Sequence, residues 1–189
     1  MGNAAEIQFG MIPSFLGAPI GDLDDLMPEQ VAIAGYFCDN LDAPAAGQRY
    51  LARQLRYASQ PEKTLSNIID LGDLNVFPLD PSKHYSAVIS QCQKVLEAGA
   101  RLVLVGGDSS GLQALTIATG KIVSANVSVI SILGSNTDNL PKTQPIILSV
   151  DLKELAGIWM SQPHHLSGLS PAQMIAQIDA TPGNVVAAA

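Results

Sequence analysis

The sequence predicts an α/β fold of three layers, α/β/α, on a mostly parallel sheet. Short apolar runs rich in Val, Ile, Leu and Ala alternate with stretches of helical periodicity, the pattern of strands buried on both faces. Successive runs lack a hairpin signal, the one candidate being "NTDNLPKTQ" at 136–144, so the strands need helical crossovers. A length of 189 residues suits one domain, 1–189, with a core that needs no staples.

The first strand is "VAIAGY" at 31–36, and the helix after it spans 47–58, with Tyr50, Leu51 and Leu55 expected inward. Arg49, Arg53 and Arg56 would then share a solvated face, since arginines at helical spacing need no ligand. "IIDLGDL" at 68–74 is the second strand. A helix over 84–98 carries a stripe of Val88, Cys92 and Val95 or Leu96, and Gly99 is placed to end it. "RLVLVGG" gives a third strand, "GLQALTIAT" a helix, "VSVISILG" and "PIILSVD" two more strands. Ser170 and Pro171 form an N-cap and N1 pair for a last helix with Met174, Ile175 and Ile178, before a final strand-like "NVVAAA".

A net charge of −7 with ten Lys and Arg argues against nucleic acid and against an anionic membrane. The two cysteines, Cys38 and Cys92, read as reduced core thiols. The N-terminus shows no secretory pattern and no apolar run approaches the ~20 residues of a span, so the expected location is cytoplasmic.

Asp39, Asp73, Asp108, Asp138 and Asp151 all follow apolar runs, which places them at the carboxyl edge of the sheet, where open α/β sheets bind ligands. Asp is also a common helix cap at that edge. The stretch "VGGDSSG" at 105–111 concentrates the question. As a phosphate loop it fails, because Leu-Gln follows Gly111 where Lys-Ser or Lys-Thr is required. As a nucleophile elbow, Gly107-Asp-Ser109-Ser-Gly111 satisfies G-x-S-x-G, and Ser109, then Asp138 or Asp151, then His164 or His165 is the hydrolase order. An HGGG-type oxyanion loop is missing from that reading. The adjacent His164 and His165 point in different directions from any regular element, which favours an exposed loop over a metal pair.

A third reading comes from the order of motifs. "FLGAPIGDLDDL" and "VAIAGYFCD", "GQRYLARQLR", "IIDLGDL", "LVLVGGDSS", "ILGSNTD", "LSVDLKELAG" and "SGLSPAQMIAQI" follow one another as the motifs of the arginase/agmatinase/formiminoglutamase (ureohydrolase) family do. The chain resembles a degenerate, shortened member. In active members two manganese ions, held by His and Asp of the three later motifs, carry the hydroxide that attacks a guanidinium carbon. The resemblance puts Ser109 at the first His, Gly134 at the first Asp, Asn136 at the second His and Lys153 at the last Asp, and leaves Asp138 and Asp151 as vestigial metal ligands. Two carboxylates cannot fix two ions about 3.5–4 Å apart. A Lys153 ion pair with Asp138 or Asp151 is the natural replacement. The segment between the second and third motifs is also shorter than the family's.

The resemblance therefore implies a pseudoenzyme with no catalytic residue and no cofactor, kept as a homo-oligomer or as a hetero-oligomer beside an active paralogue. The enzyme alternative is a hydrolase, either an amidino or C–N hydrolase using residual manganese at Asp138 and Asp151 or a serine hydrolase using Ser109. A small-molecule binding module reusing the old pocket is a third option.

Overall fold

The computed structural model describes residues 13–39, 48–59, 67–77, 79–123, 127–131, 145–150, 170–181 and 185–189. Six strands form a single sheet: β1 (Val31–Gly35), β2 (Ile68–Asp73), β3 (Arg101–Val105), β4 (Ser128–Ser131), β5 (Ile146–Ser149) and β6 (Val185–Ala188). Their order is β2-β1-β3-β6-β5-β4, and every pairing is parallel. The pairing of β4 with β5 disposes of a hairpin at 136–144. "NVVAAA" is a true strand, inserted between β3 and β5.

Helices α1 (Leu51–Ala58), α2 (Pro81–Glu97), α3 (Ser110–Val123) and α4 (Pro171–Asp179) supply the crossovers. Connections that step one way along the sheet carry α2 and α3, and those that step back carry α1 and α4, so right-handed crossovers place the two pairs on opposite faces. Alternation along the strands feeds both layers. Ala32, Ala34, Leu102 and Leu104 join Val88, Cys92, Val95, Leu115 and Ala118 in the main core. Ile33 packs instead with Phe15 and Ala52, and Ile130, Ile146 and Leu148 with Met174.

Local signals set the helix ends. Asp80 accepts the Lys83 N–H and Pro81 opens α2, and Gly99 takes the positive φ of 76° beyond its end. Ser170 and Gln173 close a capping box on α4. Both cysteines are free and buried, as expected. No helix among the described residues is long and apolar enough to cross a membrane.

The first helix corrects the sequence reading. Its buried residue is Ala52, whereas Tyr50 and Leu55 are exposed. Arg56, one turn on from Ala52, also points inward, its side chain only 10% exposed. The expectation that it was solvated fails because β2 offers a buried carboxylate that only a cation can neutralise.

Candidate functional site at the carboxyl edge

The strand order reverses around β1 and β3, the position at which ligands enter open α/β sheets. Three of the predicted acids stand at this edge. Asp39, beyond β1, pairs with Arg49 at 3.3 Å. Asp73, the last residue of β2, receives Arg56 Nη1 at 2.5 Å. Asp108 follows β3 and is 6% exposed.

Behind Asp73 lies a charge cluster that the sequence did not announce. Asp70, 1% exposed, accepts Arg56 Nε at 2.9 Å and Nη2 at 3.0 Å, together with the backbone N–H groups of Phe15 and Gly72. The guanidinium carbon sits 4.4 Å from the Phe15 ring centroid. Burial works against the Arg56 charge, but the hydrogen bonds to Asp70 and then Asp73 outweigh it and leave its pKa raised. The cluster is saturated and ties the first 3-10 turn, α1 and β2 together.

The "GGDSSG" loop is built around Tyr36. Gly106 and Gly107 both adopt positive φ, at 86° and 75°. A Cβ on Gly107 would run into the Tyr36 ring, and one on Gly111 would lie 2.8 Å from Tyr36 Cδ1. The outer glycines of the apparent nucleophile elbow are thus accounted for by one aromatic ring.

Tyr36 also organises the polar groups. Its hydroxyl lies 2.6 Å from His84 Nε2 and 2.6 Å from Ser110 Oγ. The Ser110 hydroxyl and backbone N–H both reach Asp108 Oδ1, and the Phe77 N–H donates to His84 Nδ1 at 3.1 Å. Burial lifts the Tyr36 phenol well above its ordinary range, so it serves as a neutral donor and acceptor. Tyr36, His84 and Ser110 are all buried.

Ser109 and Ser110 therefore have different environments. Ser109 is exposed at the turn before α3, and its carbonyl accepts the Gln113 N–H. The carboxylate that meets the first free amide of α3 is Asp108. Gly134, Asn136, Asp138, Asp151, Lys153, His164 and His165 lie outside the described residues. β5 ends at Ser149, on the same sheet edge as the end of β3.

The residues missed in the sequence carried readable signals. His84 continues the buried stripe of Val88, Cys92 and Val95 one turn back, so a polar side chain on the core face calls for a partner. Asp70 interrupts an apolar strand in the same way.

The described residues alone offer no site for two manganese ions. Among the described residues no group of three or more His, Cys, Asp or Glu is placed to hold a metal. At the end of β3, Ser109 is the exposed residue of the loop, and the neighbouring Asp108 carboxylate turns inward to Ser110.

The sequence model of the arginase family matches residues 29–133, more than half of the chain, from the turn before β1 through the end of β4. The chain belongs to the arginase family. Solved structures agree on the fold. A hypothetical agmatinase from Burkholderia thailandensis aligns with a TM-score of 0.76 at 18% identity, over 94% of this chain and 80% of that one. Proclavaminate amidino hydrolase from Streptomyces clavuligerus aligns with a TM-score of 0.73 at 16% identity, over 94% and 87%. An arginase-like protein from T. brucei aligns with a TM-score of 0.60 at 13% identity, over 90% and 83%; that structure is of a triple mutant, two Ser to Asp and one Arg to His, bound with Mn2+. No curated protein sequence matches the chain. The arginase-family α/β fold read from the motif order is thus established.

Proposed function

We propose that this chain is a degenerate member of the arginase family, a single domain over 1–189 that releases no urea and acts as a structural or regulatory partner. The observation that carries the reading is the end of β3. A family member that worked through manganese needs a nitrogen or carboxylate donor aimed outward there, and this chain presents the Ser109 hydroxyl and a carboxylate engaged with Ser110. By the order of motifs, Gly134, Asn136 and Lys153 extend the loss along the later motifs, where Lys153 would bring a cation in place of a carboxylate. The T. brucei relative supports the logic, since the form bound with Mn2+ carries added Asp and His side chains. Assembly with itself or with an active paralogue, in the cytoplasm, completes the proposal.

The test is elemental analysis. The purified protein should hold well under one manganese per chain after incubation with the ion. A variant with Ser109→His, Gly134→Asp, Asn136→His and Lys153→Asp should gain manganese over that baseline. Two tightly held ions per chain in the unaltered protein would refute the reading.

A further inference from the structure

The chain of hydrogen bonds from Phe77 to Asp108 has a fixed direction. A backbone N–H only donates, so the Phe77 amide at 3.1 Å requires an unprotonated His84 Nδ1. The imidazole proton then sits on Nε2 and points to the Tyr36 oxygen at 2.6 Å. The Tyr36 hydroxyl passes its single proton to Ser110 Oγ at 2.6 Å, and the Ser110 proton ends on the Asp108 carboxylate. This arrangement satisfies every bond in the series, and it exists only with a neutral imidazole.

We propose that His84 is a protonation-sensitive latch that couples the segment before α2 to the GGDSSG loop. A second proton on the ring must go to Nδ1, where it faces the Phe77 N–H, donor against donor. The 74–77 segment must then part from α2 at that point. It remains attached through the Gln91 side chain, which holds Asn75 by its N–H at 2.9 Å and its carbonyl at 3.1 Å, so the movement is local. The elements packed around His84 bring Tyr36 from the end of β1, with Cys38 beside it, and, through Ser110, Asp108 from the β3–α3 loop. Its own helix begins with Asp80, which caps Lys83 N–H, and Lys83, whose ammonium lies 4.0 Å from the Phe77 ring centroid. Tyr85, next along the helix, bonds Gln113 of α3. Asp24 and Asp25 on the turn against α2, Arg101 of β3 and Lys121 of α3 are exposed. Asp108, buried and two hydrogen bonds beyond Tyr36, is the anion that the charged ring would draw toward itself.

Amide exchange in the unaltered protein, corrected for intrinsic rates, reads the latch by comparing a mildly alkaline with a mildly acidic sample, at about pH 8 and about pH 5.5. Protection at Phe77 should fall roughly tenfold on acidification, the loss of about one hydrogen bond, while the Val103 amide in β3 holds. His84→Gln, which cannot titrate, should abolish the pH dependence. Tyr36→Phe should keep it at Phe77 and remove its transmission to Ser110. Nitrogen shifts of the imidazole give an answer even where a variant fails to fold: near pH 8 they should show Nε2 protonated and Nδ1 bare. The opposite tautomer, or a Phe77 amide whose protection is flat across the range, overturns the proposal.

Discussion

Replacing Arg56 by Met separates a buried charge cluster from the solvated helix face that the periodicity suggests. The side chains of Arg56 and Asp70 are 10% and 1% exposed. Removing the guanidinium leaves Asp70 with the Phe15 and Gly72 amides as donors and no counter-charge. One-sided loss of a buried pair costs about 3–5 kcal/mol. The two remaining amides hold Arg56→Met toward the lower end, near 3 kcal/mol by the same principle. Asp73 adds little, because at 41% exposed it regains water. At about 2–4 °C per kcal/mol for a chain of this size, the melting midpoint should drop by roughly 6–12 °C. Urea unfolding followed by circular dichroism measures the loss, and adding Asp70→Asn should recover part of it in a double-mutant cycle. A change within about 0.5 kcal/mol, the ordinary result for a surface residue, would refute the cluster.

Three other perturbations test the site region. Gly107→Ala should cost about 3 kcal/mol or more in thermal unfolding, because it adds strain at a φ of 75° to a collision with the Tyr36 ring. Asp108→Ala should destabilise by about 1–3 kcal/mol and Ser109→Ala by less than about 1 kcal/mol, since Asp108 receives the Ser110 amide. Intact protein should also remain unlabelled by a fluorophosphonate, and stoichiometric labelling lost in Ser109→Ala would restore the serine-hydrolase reading. Burial pushes the Cys92 thiol from its ordinary 9.0 up to about 12, so above pH 9 the unfolded chain gives up a proton that the folded chain keeps. Stability should therefore be intact below pH 9 and fall by about 1 kcal/mol per pH unit above it. Cys92→Val should flatten part of that slope, with buried Tyr36 contributing in the same direction at higher pH.

Strand and helix order was legible because burial on both faces writes long apolar runs, and each run from "VAIAGY" to "NVVAAA" became a strand. Strand termini shifted by a residue or more where side chains alone cannot show the last ladder bond, as in "PIILSVD", of which Ile146–Ser149 pairs. The inward face of α1 was misread for a different reason. Hydrophobicity ranks Leu55 above Arg56, yet the bottom of that groove is Asp70, and a carboxylate reverses the preference. Asp39, Asp73 and Asp108 were legible as acids of the sheet edge, and their partners were not. Arg49, Arg56 and Ser110 lie 10, 14 and 2 residues from the carboxylates they meet, with only the last within reach of local reasoning.

The same limit explains why a serine-hydrolase pattern arises here. G-x-S-x-G is demanding only if its glycines exist to expose the serine between them, and in this chain they clear space for Tyr36. The ring enters from β1, and Tyr36 N–H bonds the Val105 carbonyl just before the loop, so the two elements had to be compatible whatever the loop went on to do. With Gly107 and Gly111 fixed by that packing, Ser110 is turned inward to the hydroxyl of the same tyrosine and Asp108 to Ser110, and Ser109 is the exposed residue between them. The loop's glycines, Asp108 and Ser110 are thus accounted for by contacts within the fold, and the pattern they form around Ser109 needs no nucleophile to explain it.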